Sequence, residues 1–482
     1  MKPLNQSLYM KNIYRSSCVI SAAIVFLVFE NQVSAQKNEN VRKTFFKNGL
    51  VAREFYMGPD QMLDSIKTYH IVGGLDERFY FDENTLINGL CQKFSSEGKL
   101  KTTWLYKKGI LIKRTDFLKE DNLKNKAKVE ENYAIIVKNN ELLKSDPNNY
   151  GLRYGRAASQ TYLEDNVLAE FDFLGFKTQL ENIKANPDAI TKFPRINQDL
   201  AEIYSRLSTI YSRFENDNLS INYKLMAIQI DPAETRHYFN LGAYLATEAH
   251  DYRLAIYYLN EVERRFPNHN FAHWVLGYTY LELEEYDKAV ENIDIAFQNE
   301  ANLYENGYGN EESDLRTIRG LAYHKLGKTD LGIADLNEAL RINDKNSVAN
   351  KYLGIVYYDL GQSQKACEYF QKARALGYEK KYYNKELESF IQKACNANQK
   401  KIVNIAPKDL PFITPNPAEN SVEVHNYLYS NFNYEIYNAE SKKVSQGVST
   451  DKIIKVSGLP SGFYILIITN QGKSETFKLI KK

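Results

Sequence analysis

The chain has 482 residues, a length that suits about three domains rather than one. Lys and Arg number 62 against 60 Asp and Glu, a net charge of +2. No electrostatic footprint therefore points to nucleic acid. Tyr is abundant, at 36 residues; most would pack in a helical array, and exposed Tyr also suits protein recognition.

Residues 1–35 read as an export signal. Lys2, Lys11 and Arg15 form a basic lead, and Cys18 to Phe29 is a mostly apolar run of twelve residues. That run is too short to span a bilayer. Val33-Ser34-Ala35 offers small residues to a peptidase, which makes Gln36 the expected mature N-terminus. Met10-Lys11 would give a tidier signal, so Met10 competes with Met1 as the start. A buried core strand or an uncleaved anchor is the plainer alternative. Cys18 opens the apolar run, well ahead of the cleavage site, and is badly placed for lipid attachment. No other stretch is long or apolar enough to cross a membrane, so no transmembrane span is expected. Cleavage leaves Cys91, Cys367 and Cys395. An odd number argues against a disulfide framework. Cys367 and Cys395 lie one helical unit apart and could pair in an oxidising compartment; three small buried apolar side chains is the blander reading.

Residues 36–117 carry short strands. Thr44-Phe45-Phe46, Arg78-Phe79-Tyr80-Phe81 and Thr103-Trp104-Leu105-Tyr106 are separated by Asn48-Gly49, Gly73-Gly74, Glu97-Gly98 and Lys108-Gly109. Gly at those points permits the positive φ of hairpin turns. Leu50, Leu75, Leu100 and Leu111 follow the turns, and Leu63 and Leu86 fill the gaps, so a strand-plus-turn unit recurs at roughly a dozen residues. This pattern resembles the MORN-type hairpin repeat. The resemblance implies a single-layer antiparallel meander, used as a scaffold or membrane-proximal module, with no catalytic residues. A short β-meander of no special family is the alternative.

Residues 118–396 turn to helical periodicity. Glu130 to Lys144, Leu152 to Leu163 and Ala169 to Lys184 read as helices, with Pro147, Pro187 and Pro194 in the breaks. A small residue then recurs at the length of a helical hairpin: Ser208, Gly242, Gly277, Gly320 and Gly354, three of the intervals being 34, 35 and 34 residues. Ala255, Ala289, Gly332 and Ala366 follow about twelve positions later. A fixed period of this length means an α–α solenoid. Small residues let two helix backbones approach, while Tyr and Leu fill the groove between units. The repeats resemble the tetratricopeptide family, with Leu276-Gly277, Tyr280, Ala289, Ile293 and Ala296 in one unit. Leu353-Gly354, Tyr357, Ala366, Phe370 and Ala373 fill the same places in the last. Departures are Ser208 for Gly, Gly332 for Ala, an extra residue between Gly242 and Ala255, and an insertion within Asn302 to Glu312 expected as a loop. A helix from Tyr382 to Cys395 is expected to cap the stack.

Residues 397–412 read as a linker. Residues 413–482 change character again: Ser421 to Val424, Tyr434 to Tyr437, Ile453 to Val456, Gly462 to Thr469 and Thr476 to Ile480 alternate at period two. Such spacing argues a small antiparallel β-sandwich. Pro415-Asn416-Pro417-Ala418, Tyr434-x-Ile-Tyr-Asn438, Leu459-Pro460-Ser461-Gly462-Phe463-Tyr464-Ile465 and the basic ending through Lys482 stand in order. They resemble the type A C-terminal sorting domain of the type IX secretion system of Bacteroidota. The resemblance implies passage through the periplasm and recognition by the outer-membrane translocon. Release or attachment at the cell surface follows. A generic immunoglobulin-like sandwich is the alternative.

The fold class expected is thus multidomain: an all-β hairpin-repeat meander, an α–α tetratricopeptide solenoid and a small antiparallel β-sandwich. No catalytic constellation is legible, and no cofactor is expected. His269 and His273 lie four apart, but His269 stands before its helix and no third metal ligand is evident. Glu282, Glu284 and Glu285 read as a solvated turn. The groove register puts Phe239, Phe271, Trp274, Tyr278, His324, Lys351 and Tyr358 on the inner face. Phe271, Trp274 and Tyr278 form an aromatic stripe at helical spacing, suited to a protein or peptide with apolar anchors; Trp274 packed as core between units is the alternative. The family's carboxylate clamp is not matched, because Ile355 follows Lys351 where Asn would be needed. The expectation is a secreted or surface-attached binding scaffold without catalysis. The rivals are a structural envelope part touching membrane or glycan, and a hydrolytic enzyme whose site the sequence hides.

Overall fold

The computed structural model describes residues 40–117, 126–146, 149–186, 193–305, 314–381, 386–395, 411–439, 441–470 and 473–482. The export signal, Pro147, Pro187, Tyr382 and most of the linker lie outside them. The described residues form two compact units. One runs through Ala233 and takes in Ala418–Ser421 and Asn431–Lys482; the other comprises Glu234–Pro417 and Val422–Ser430.

In the first unit, β1 (Val41–Phe45), β2 (Val51–Met57), β3 (Leu63–Tyr69), β4 (Leu75–Tyr80), β5 (Gly89–Phe94), β6 (Leu100–Lys107) and β7 (Ile110–Asp116) form one sheet. Its order is the chain order, and every pairing is antiparallel. Five of its six turns are the same device. The first residue's N–H bonds the carbonyl four on, and the fourth residue's N–H bonds back to the first, at Phe46, Gly58, His70, Asp82 and Ser95. The fourth residue takes a positive φ each time: Gly49, Gln61, Gly73, Thr85 and Gly98. Glycine adopts that conformation without penalty, which is why three of the five turns were visible in sequence. The turn starts are 12, 12, 12 and 13 residues apart, as the positions above give. The sixth is a two-residue loop, Lys108-Gly109, with both φ positive.

The period-two alternation gives the sheet two different faces. Phe55, Ile66, Phe79, Cys91 and Trp104 lie along one face and are essentially sealed from solvent. They pack with Ile136 of α1 (Lys126–Ser145) and with Val167 and Leu168 of α3 (Asn166–Lys184). The same face carries buried charge. Arg53 reaches both carboxylate oxygens of Glu170. Asp165 meets Arg114 at 3.0 Å and Lys93 at 3.6 Å, and Lys93 lies 3.5 Å from Glu77. Burial pushes the Glu77 carboxyl up to about 8, against the pull of Lys93. Arg156 of α2 (Tyr150–Tyr162) grips Asp172 with two bonds of 2.7 Å. α4 (Ile196–Arg213) and α5 (Asp217–Ile230) complete the helices of this unit.

The second unit stacks helical hairpins: α6 (Thr235–Thr247) with α7 (Tyr252–Arg265), α8 (Asn270–Glu282) with α9 (Tyr286–Phe297), α10 (Leu315–Lys325) with α11 (Thr329–Ile342), and α12 (Ser347–Asp359) with α13 (Ser363–Ala375). The recurring glycines sit where the two helices of a hairpin touch. A Cβ at Gly242 would come within 2.7 Å of Leu259, at Gly277 within 2.5 Å of Ile293, at Gly320 within 2.8 Å of Leu336, and at Gly354 within 2.5 Å of Phe370. Each partner lies 16 or 17 positions on, and the single 17 absorbs the extra residue after Gly242. Ser208 in the first unit keeps the rule differently: the residue 16 positions on is Lys224, whose ammonium donates to the Ser208 hydroxyl at 3.0 Å. Gly332 replaces Ala because a Cβ there would stand 2.5 Å from the Gly320 carbonyl oxygen. Asp231 and Phe266, each followed by Pro, cap the C-termini of α5 and α7.

Two expectations need correcting. Cys367 and Cys395 are not separate buried thiols; they form a disulfide across 28 residues, joining α13 to α14 (Glu386–Cys395). The two helices pack side by side and bring the Cα atoms to 5.1 Å, within bridging range. The inserted segment is not all loop at its start. Glu300–Glu305 is helical, because Leu303 is drawn into the core of the unit. Its remainder lies outside the described residues.

At the C-terminus, β10 (Phe432–Asn438), β11 (Lys443–Ser449), β13 (Gly462–Asn470) and β14 (Lys473–Lys481) form a four-stranded antiparallel sheet of order β11-β10-β13-β14. β8 (Phe412–Thr414) pairs with β9 (Ser421–His425), and β12 is Ile453–Lys455. The chain therefore runs in the expected order: β meander, helical solenoid, antiparallel β domain.

Candidate functional site

Six of the seven groove residues are partly buried, and Lys351 is buried. The first helices bring some of them together. Phe239 of α6 and Phe271 of α8 meet at 6.3 Å between ring centroids, with the His269 ring 5.5 and 6.0 Å from them. His269 is the N-cap of α8, its Nδ1 accepting from the Ala272 N–H. That confirms its place ahead of the helix. Among the described residues no group of three or more His, Cys, Asp and Glu is placed to hold a metal.

One turn along α8, Trp274 rests against the hydrophobic core of the unit, as do Phe271 and Tyr278. The stripe is thus half wall and half surface. Tyr278 meets Tyr252 of α7 edge-on at 6.4 Å, and the Tyr252 hydroxyl donates to Glu282 at 3.3 Å. Glu282 is recessed rather than solvated. Burial raises its carboxyl above the ordinary range, Lys351 opposing and Glu386 adding to the rise. It follows Tyr278 by four positions, so helical spacing alone placed it on the aromatic face. The turn composition of Glu282, Glu284 and Glu285 masked that signal.

Lys351 is close enough to act on Glu282 but is engaged by the closing helix, and His324 stands apart. The Lys351 ammonium bonds Glu386 of α14 and donates to the Tyr378 hydroxyl at 2.8 Å. The closing helix thereby uses the one cation of the candidate groove set. His324 bonds Thr329 at 3.0 Å and Asp359 at 3.2 Å, which places it at helix ends. Tyr358, near the end of α12, packs on the core. Nothing in the sequence pattern linked Lys351 to Glu386, 35 positions away, because the last helix departs from the repeat.

In the C-terminal domain, Pro415 is exposed and Pro417 buried, and each follows a cis peptide bond. Ala418 then bonds the last strand: its N–H donates to the Ile480 carbonyl and its own carbonyl accepts from Lys482. Leu459 bonds back to Val456, and the Tyr464 hydroxyl donates to the Pro460 carbonyl at 2.7 Å, tying the turn to β13. Asn416 and Gly462 are half-buried.

The hairpins of the second unit, with glycine at the contact between their two helices, have the architecture of tetratricopeptide repeats. Residues 241–296, 313–346 and 352–376 each match a tetratricopeptide repeat family. Residues 413–482 match the secretion system C-terminal sorting domain, the module of type IX secretion. The N-terminal strand hairpins fit the MORN-like resemblance. No curated protein matches the chain. Among solved structures, a tetratricopeptide repeat protein from Parabacteroides merdae is similar at 14% identity and TM-score 0.38, over 56% of this chain and 97% of that one. The C-terminal part of a TPR repeat-containing protein from Cytophaga hutchinsonii has 19% identity and TM-score 0.37, over 55% and 96%. MamA from Desulfovibrio magneticus RS-1 has 19% identity and TM-score 0.31, over 37% and 96%. No helix among the described residues is long and apolar enough to cross a membrane.

Proposed function

We propose that this protein is an exported, secreted or surface-attached scaffold whose helical hairpins hold a protein or peptide partner, and that it does no catalysis. The signal in residues 1–35 would deliver it to the periplasm, and residues 413–482 would then be read by the type IX translocon. The binding reading is supported by the ring pairs Phe239–Phe271 and Tyr252–Tyr278, with Glu282 hydrogen-bonded to Tyr252 and Trp274 between them along α8. Large half-buried rings offer contact area at low entropic cost, and a recessed carboxylate fixes orientation. Lys351 and His324 play the lesser part, being engaged within the fold. Capture of partners on intact cells, followed by the Trp274→Ala/Tyr278→Ala protein, tests this. The double variant should lose the captured partner at least tenfold while keeping its fold. Retention of every partner would overturn the groove reading and favour a structural role in the envelope.

A further inference from the structure

The uncovered face of the seven-stranded sheet carries an arrangement that the fold itself does not need. Register places Lys43, Glu54, Lys67, Arg78, Gln92, Thr103 and Thr115 directly beside one another, one per strand. At about 4.8 Å per strand this is a line of roughly 29 Å across the whole sheet. All seven side chains are polar. The parallel line one residue away, on the helix-covered face, holds Phe55, Ile66, Phe79, Cys91 and Trp104.

Charge along the line is unbalanced. Residues 40–117 hold thirteen Lys and Arg against nine Asp and Glu. Three of the thirteen, Arg53, Lys93 and Arg114, are spent on buried partners on the other face. On the open face Glu54 is already satisfied by Lys43 at 2.8 Å and by the hydroxyls of Tyr56 and Tyr69. Lys67 and Arg78 sit directly opposite each other. Like charges in that position destabilise a sheet. Among the described residues neither has an ion-pair partner, nor does Lys113 in the next row; the Lys67 ammonium donates to the Tyr56 hydroxyl at 2.9 Å and lies over that ring, and the Arg78 Nε is enclosed without a hydrogen bond. Flat hydrophobic groups flank the line: Tyr80 is 37% exposed, Leu90 52% and Leu105 41%.

We infer that this face binds an extended anionic glycan. A row of donors at strand spacing follows the hydroxyls and acid groups of a polysaccharide lying across the strands. Lys67, Arg78 and Lys113 meet its carboxylates, sulfates or phosphates, and the flanking ring and leucines lie against the apolar faces of the sugars. A lipid surface fits less well, because the line across the face is polar in every strand and the hydrophobic groups are few and to its side. The assignment is independent of the groove on the helical hairpins.

The test uses the purified full-length protein with immobilised dextran sulfate and polygalacturonate, with neutral dextran and phosphatidylglycerol vesicles as comparisons. The parent should bind both anionic polymers, with affinity falling steeply as salt rises, and should ignore neutral dextran. Lys67→Glu/Arg78→Glu should weaken binding at least tenfold. The same charge reversal at Lys345, exposed in the turn between α11 and α12, and Lys372, exposed on α13, should change it less than twofold. Lys67→Gln/Arg78→Gln, which removes charge without reversing it, should fall between and guards against a folding defect; circular dichroism of each variant confirms the fold. Absence of polymer binding at low salt would overturn the assignment. So would an undiminished Lys67→Glu/Arg78→Glu protein, equal loss in the Lys345 and Lys372 control, or tighter binding to the vesicles than to either polymer.

Discussion

Glycine has two different duties in the helical hairpins, and the atoms each would strike separate them. A Cβ at Gly242 would stand 2.7 Å from the Cγ of the sealed Leu259 and 3.3 Å from its backbone nitrogen, so the Leu259 side chain would have to shift within the core. A Cβ at Gly332 would meet the Gly320 carbonyl oxygen at 2.5 Å and the His324 nitrogen at 3.1 Å, and backbone cannot step aside. Alanine gains up to about 1 kcal/mol of helix propensity at either position. Overpacking costs about 1–3 kcal/mol. Both substitutions should therefore destabilise, Gly332→Ala more than Gly242→Ala because it strikes backbone rather than a side chain, each by up to about 2 kcal/mol net. Urea denaturation of the two variants, followed by helical signal, checks the order. Ser208 shows a third solution: a hydroxyl accepted in place of the glycine and answered by Lys224. Its slot was legible as small, but its partner was not, since a lysine at a core position reads as an error until the hydroxyl is seen.

The β meander joins its helices through charge as well as through apolar contact, and this makes it sensitive to pH. Glu77 is fully buried and its carboxyl is raised to about 8, with Asp165 and Asp76 shifted the same way by burial. A raised carboxyl binds more protons folded than unfolded between about pH 4.5 and 8. Its contribution to stability therefore declines as pH rises through that window. Glu77→Gln should flatten the decline, measured as unfolding free energy at pH 5, 6.5 and 8, and an unchanged slope would exclude Glu77 as its source. Much of this element was readable beforehand. Three turn glycines and the strand alternation announced hairpins of about a dozen residues. The turns at Gln61 and Thr85 were legible only through the spacing of Leu63 and Leu86, because non-glycine residues occupy the same positive-φ place. The ion pairs were hidden: Arg53 and Glu170 are 117 positions apart, and no local pattern links them. The same holds in the candidate groove. Helical spacing put Phe271, Trp274 and Tyr278 on one face, whereas Tyr252 joins them from a different helix and Glu386 holds Lys351 from beyond the last regular repeat.

At the scale of the whole chain, the type IX sorting domain joins binding modules to an export route. Removing residues 413–482 should leave the protein folded and its Cys367–Cys395 disulfide formed, but retained inside the outer membrane. Fractionation of cells producing the truncated chain, with a thiol-labelling assay on the retained protein, reads both outcomes. Surface display of the truncated chain would contradict the role of the tail. The five matching turns of the meander carry a further consequence. They occur at both edges of the sheet, so neighbouring strands can be joined by the same loop whichever edge they meet. A strand can then be gained or lost as a cassette of twelve residues, with no new kind of connection to invent. The breadth of this platform is a quantity that gene duplication can dial in discrete steps of one strand.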